Sequence, residues 1–148
     1  MSKLQIAAAV ALAFALIATT TAAHYEALRF LERTARAAEL SRRAAVGVLT
    51  ALVGLHVGEI ALYALVYACG AKLLGIGHLD GGGRTWLDYF YFAAETYSTL
   101  GYGDVVPSGA LRLVASIEAL NGLLLLAWSG AFLYGVLDGR RATRAPRG

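Results

Sequence analysis

Long apolar stretches separated by short polar ones dominate the chain, and three of them, residues 4–23, 44–69 and 110–137, are almost uninterrupted. A bilayer core of about 30 Å needs roughly 20 residues of helix, so the pattern predicts three transmembrane helices in an all-α membrane protein. Between the first two spans the pattern becomes amphipathic. Leu28, Leu31, Ala35, Ala38 and Leu40 recur at helical spacing, with Glu26, Glu32 and Glu39 set among arginines, which predicts a helix on the inner membrane surface or an extension of the first span. Residues 86–97 carry Trp86, Tyr89, Phe90, Tyr91, Phe92 and Tyr97, aromatic on several sides of a short helix and therefore buried, with Thr85 as its N-cap. Gly75, Gly77 and Gly81 to Gly83 around Asp80 predict a flexible loop before it.

Composition agrees: 58% of the 148 residues are apolar and 16% charged, and a mean hydropathy of +0.59 excludes an ordinary soluble domain. The single cysteine, Cys69, cannot close an intrachain disulfide and reads as a filler at a helix end. The net charge of +3 does not indicate a nucleic-acid partner, because the basic residues gather at span ends. Arg29, Arg33, Arg36, Arg42 and Arg43 lie between the first two spans, and Arg140, Arg141, Arg144 and Arg147 follow the last. The positive-inside rule then puts both groups in the cytoplasm, the N-terminus outside, and residues 70–107 on the outer side. Anionic lipids are the expected partners of the basic segments. The first span also reads as a signal peptide, with Lys3 and Thr21-Ala22-Ala23 as weak features; cleavage would invert this topology, so an uncleaved helix is expected. The arginine spacing invites comparison with a voltage sensor, but these arginines alternate with acids outside any apolar span.

The chemistry concentrates in Thr99-Leu100-Gly101-Tyr102-Gly103-Asp104. Gly-Tyr-Gly-Asp alone is also the composition of a surface turn. Here an aromatic helix leads into it and an apolar span follows Pro107. Gly101 and Gly103 allow the left-handed dihedrals that a backbone needs to aim successive carbonyls at one axis. TLGYGD resembles the selectivity filter of the potassium-channel family, with Leu100 in place of the usual valine. In such filters carbonyl oxygens replace the hydration shell of K⁺.

The resemblance covers residues 44–137 and implies an outer helix at 44–69, a turret at 70–85, a pore helix at 86–97, the filter at 99–104 and an inner helix at 110–137. Residues 1–43 and the basic tail at 139–148 lie outside it. The first helix is expected at the periphery, bracing the outer helix. One chain supplies one filter strand, so a cyclic homotetramer is implied, binding K⁺ through Thr99, Leu100, Gly101 and Tyr102, with no other cofactor and no enzymatic activity. Tyr102 is expected to brace the filter from behind, where Leu100 also packs. In some family members a carboxyl pair clamps the back of the filter, and Glu95 and Asp104 resemble it, with Tyr91 as a third partner. The expectation is a protonated Glu95 hydrogen-bonded to Asp104; the alternatives are a solvated Asp104 and a Glu95 paired with Arg112. Glu118 and Gly122 resemble the E-x-x-x-G of inward-rectifier-type inner helices. Asn121 is a candidate for the cavity wall, and Trp128, Phe132 and Tyr134 are large enough to constrict its cytoplasmic half. His56 and Glu59, three apart on one helical face, are open to a structural role, to pH sensing, or to metal ligation or proton relay. A nonselective cation channel and a non-conducting subunit that modulates a partner are the alternatives to a K⁺ channel. The short tail is not expected to fold as a regulatory domain.

Overall fold

The computed structural model describes residues 2–37 and 42–144. Helices α1 (Lys3–Ala37), α2 (Arg42–Lys72) and α4 (Leu111–Arg144) are long, and α3 (Trp86–Tyr97) is short. Each long helix contains a segment of sufficient length and apolarity to cross a membrane: Lys3–Ala35, Arg43–Lys72 and Leu111–Val136. Most residues in these segments are not buried within the chain. Apolar helix faces so arranged require lipid or further protein around them.

The amphipathic pattern after residue 23 extends the first span as one helix. No breaker interrupts it, because the first glycine is Gly47 and the first proline Pro107, so nothing releases the i to i−4 ladder along α1. Ala38, Glu39 and Leu40 of that pattern lie outside the described residues. At the other end of the chain, α4 continues to Arg144, past residue 139 where the sequence pattern starts a tail; residues 145–148 lie outside the described residues. Helix α1 packs against α2, the expected outer helix, and also against α4.

Two apolar clusters hold the helices together. The larger one joins Tyr63, Tyr67, Tyr89, Phe92, Tyr97, Leu111 and Val114 of α2, α3 and α4 with Ala9 and Leu16 of α1. Tyr67 meets Phe92 edge-on with ring centroids 4.9 Å apart, a favoured aromatic geometry. Toward the other end of the long helices, Leu28, Ala35, Val48 and Leu52 pack with Phe132, Leu133 and Val136.

The glycine-rich loop is anchored rather than free. Its strand β1 (Leu79–Asp80) pairs antiparallel with β2 (Val106–Pro107), Leu79 opposite Pro107. Ser108 N–H donates to the His78 carbonyl at 2.8 Å and Ala110 N–H to that of Ile76 at 2.7 Å. The glycines make this approach sterically feasible: a Cβ at Gly77 would lie 2.2 Å from the Ser108 oxygen, and one at Gly81, where φ is +83°, 2.0 Å from the Asp104 oxygen. The Gln5 side chain donates to the Gly75 carbonyl at 3.0 Å, so α1 begins at the same end of the molecule as this loop.

Candidate functional site

Helix α3 starts on a capping box. Thr85 Oγ1 accepts from Asp88 N–H, and the Asp88 carboxylate accepts from the backbone of Thr85 and Arg84 at 2.9 and 2.8 Å. Those two N–H groups hold the Asp88 carboxyl below its ordinary range. The helix ends at Tyr97, with Ser98 as C-cap. From there the 99–104 segment is tied back to α3, Leu100 N–H reaching the Glu95 carbonyl at 2.9 Å.

Within the segment φ is positive at Thr99 (59°), Gly101 (55°) and Gly103 (81°). Left-handed residues thus recur at every second position. The two glycines adopt this without steric cost; Thr99 is a β-branched residue in a region such residues avoid, at a strain of roughly 1–3 kcal/mol. Its conformation was not legible from its residue type, though the spacing from Gly101 and Gly103 points to it. Leu100 is 57% exposed and Tyr102 70% exposed in the single chain, so neither packs behind the segment within its own chain.

The three side chains behind the segment meet differently from expectation. Tyr91 donates its hydroxyl to Asp104, with Oδ2 at 3.1 Å and Oδ1 at 3.2 Å, and Val105 N–H donates to Oδ1 at 3.1 Å. No hydrogen bond joins Glu95 to Asp104 among the described residues; the Asp104 carboxylate accepts from the Tyr91 phenol and the Val105 N–H instead. Glu95 lies against the same phenol, one helical turn along, and is buried with Oε1 unpartnered. Glu95, burial and then Asp104 push the Tyr91 phenol above its ordinary range. Arg112 is exposed and forms no ion pair with Glu95.

Helix α4 closes the arrangement from the side. A Cβ at Gly122 would stand 2.2 Å from the Tyr97 carbonyl oxygen, so only glycine lets α4 reach the end of α3 two residues before Thr99. Glu118, one turn earlier, is fully buried, with Oε2 accepting from the Tyr67 hydroxyl and Oε1 unpartnered. Asn121 does not face a cavity. Its Nδ2 donates to Thr20 Oγ1 at 2.8 Å and to the Tyr63 hydroxyl at 3.0 Å, which buries it between α1 and α2. Trp128 also turns toward α1, its ring 5.5 Å from that of His24 and 6.2 Å from that of Tyr25. Phe132 packs in the second apolar cluster, while Tyr134 is exposed.

His56 and Glu59 lie in a buried ring of polar side chains contributed by all four helices. His24 Nδ1 is 2.9 Å from Glu59 Oε1; the Tyr97 hydroxyl donates to Glu59 Oε2 at 2.5 Å; His56 Nδ1 is 2.8 Å from the Tyr97 oxygen. Ser129 Oγ completes it, 3.0 Å from His56 Nε2 and 3.2 Å from His24 Nε2. The sequence reading missed His24, Tyr97 and Ser129 as members. A histidine inside the first long helix was the available signal, since an intramembrane ionisable group needs a partner.

A family model described as "Ion channel" matches residues 50–137. The inward rectifier potassium channel Kirbac3.1 of Paramagnetospirillum magnetotacticum is 38% identical over 88 residues, 58% of this chain and 28% of that protein. The voltage-gated potassium channel Kch of Escherichia coli (strain K12) is 43% identical over 49 residues, 32% of this chain and 12% of that protein. An uncharacterized membrane protein of Bacillus subtilis (strain 168), YdjJ, is 42% identical over 55 residues, 36% of this chain and 16% of that protein. The chain thus spans between 12% and 28% of the length of these relatives. No solved structure matches it significantly.

Proposed function

Because the chain belongs to the potassium-channel pore family, we propose that it is a K⁺-selective channel subunit that conducts K⁺ passively as a cyclic homotetramer. Four copies of the 99–104 segment surround the axis, and the carbonyls of Thr99, Leu100, Gly101 and Tyr102 replace the water shell of queued K⁺ ions. Repulsion between neighbouring ions drives exit. Helix α3 enters and leaves on the outer side as a re-entrant pore helix, and its C-terminal dipole favours a cation below the filter. The observation that carries this reading is the backbone: positive φ at Thr99, Gly101 and Gly103, directly after a capped helix, with open space before both glycines. The exposure of Leu100 and Tyr102 supports assembly, since neighbouring copies can cover them.

In this reading the arginine-rich ends face the cytoplasm of a cell-membrane protein, near anionic lipids, with the N-terminus outside. Tyr91, Asp104 and Glu95 support the filter from behind and bear on whether it conducts. Gly122 and Glu118 set how closely the inner helix approaches it. Leu100 leaves the backbone ligands unchanged and alters only what packs behind them. Purified protein in liposomes under opposed K⁺ and Na⁺ gradients tests the proposal. A reversal potential near that of K⁺ is expected. Equal permeation of Na⁺ would favour a nonselective channel, and an intact tetramer without flux across a range of pH and voltage would favour a modulatory subunit.

A further inference from the structure

Six contacts, each between 2.5 and 3.2 Å, join His24, Glu59, Tyr97, His56 and Ser129. His56 Nδ1 faces both the Tyr97 oxygen and Glu59 Oε2, at 2.8 and 3.2 Å, so one hydrogen there serves two contacts and the set needs five. With Glu59 ionised and both imidazoles neutral, the residues bring four: one from each histidine, one from Tyr97 and one from Ser129. Ser129 faces both Nε2 atoms with a single hydrogen, so at least one histidine must present Nε2–H to it. When that histidine is neutral, its Nδ1 lone pair points into the region of the Glu59 carboxylate and the Tyr97 oxygen. The ring is therefore one hydrogen short, and a proton or a metal cation can take that place.

We propose that His24, His56 and Glu59 bind a divalent transition metal of the zinc class, holding α1 and α2 together beneath the end of α3. One donor atom from each of these three residues lies within 4.8 Å of the other two, and ligand atoms around tetrahedral zinc are about 3.3 Å apart at the usual bond lengths. Two imidazoles and one carboxylate suit zinc and its neighbours in the first transition row rather than magnesium or calcium. With metal on both Nδ1 atoms, both Nε2–H groups donate to Ser129 Oγ, whose two lone pairs accept them. A hydrogen-bonded second nitrogen of this kind orients metal-binding histidines in general. The Tyr97 oxygen stands at the open fourth position, in contact with Glu59 and His56. A cleft of about 350 Å³, lined by Thr19, Thr20, Ala23, Gly54 and Gly58 among others, reaches Glu59 from the α1–α2 face. Within the ring, the metal would fix Tyr97, and Tyr97 lies two residues from Thr99.

Co²⁺ titration of the chelator-stripped, full-length protein in lipid nanodiscs tests this, with Zn²⁺ as competitor. One Co²⁺ per chain is expected, with the visible absorption of a four-coordinate ion that Zn²⁺ displaces. His24→Ala and Glu59→Ala should abolish it. Ser129→Ala keeps all three ligands and should weaken binding about 10- to 100-fold, so it decides the matter should the ligand variants fail to assemble. A folded wild-type protein that binds neither metal would overturn the proposal and leave a proton as the fifth hydrogen. So would undiminished binding in Ser129→Ala together with either ligand variant, or undiminished binding in Ser129→Ala alone where those do not assemble. The binding assay does not depend on conduction, so its failure and the failure of the channel reading are separable.

Discussion

Gly122→Ala is the sharpest single test of how the inner helix is seated. The added Cβ would lie 2.2 Å from the Tyr97 carbonyl oxygen, against about 3.4 Å for ordinary contact, an overlap of about 1.2 Å. The obstacle is backbone, with the Tyr97 carbonyl carbon and ring also at 2.9 Å, so no side-chain rotation relieves it. Overpacking of this kind costs about 1–3 kcal/mol, and the absence of a yielding neighbour puts this site near the upper value. Alanine in place of glycine returns about 1 kcal/mol of helix propensity. The net loss is then about 2 kcal/mol per chain, a factor of about 30 in the folding equilibrium. Gly130, on the same helix, has nothing within 4 Å of its notional Cβ, and its alanine variant should gain the propensity term alone. Thermal unfolding in detergent, read beside K⁺ flux in liposomes, compares the two. Gly122→Ala should unfold earlier and lose flux, because α4 can regain contact distance only by moving the end of α3. Equal stability and flux in the two variants would refute the reasoning.

Tyr91→Phe removes the donor to Asp104, and the variant should retain K⁺ selectivity while inactivating at a different rate in single-channel records. Thr85→Ala should cost about 1 kcal/mol by loss of the α3 cap, measured by thermal unfolding. Because Asp88 is held below its ordinary value of 3.8 by the Thr85 and Arg84 backbone, its stabilising contribution is complete above that pH and is lost as pH falls through the lowered value. Asp88→Asn should flatten that acid limb in a pH series of melting temperatures, and an unchanged limb would contradict the capping geometry. Asn121→Leu breaks the bonds to Thr20 and Tyr63; it should release α1 from α4, read as increased proteolysis of α1, where a cavity-facing residue would change conductance instead. Gly101→Ala meets no atom of its own chain but must hold φ near 55°, at about 1–2 kcal/mol per subunit, and K⁺ flux should fall sharply.

The three long apolar helices, the aromatic α3 with Thr85 at its start, and the TLGYGD segment were all legible in the residues alone. The first rests on hydropathy and length, the second on a capping side chain, the third on glycine at two positions that need left-handed backbone. Each is a local property, decided within a few residues of chain. Pairings between distant segments were not legible in this way. Nothing local indicates that the glycine-rich loop pairs with residues 106–107, that Tyr91 takes the Asp104 carboxylate in place of Glu95, or that Asn121 and Trp128 turn to α1. Those outcomes depend on which helix faces meet, and an apolar span presents nearly equivalent faces until a buried polar group selects one. His24 was visible as an ionisable residue in the first long helix, but only the packing of four helices brings it to Glu59, His56, Tyr97 and Ser129, because a buried polar group must find its partner wherever the tertiary structure places one.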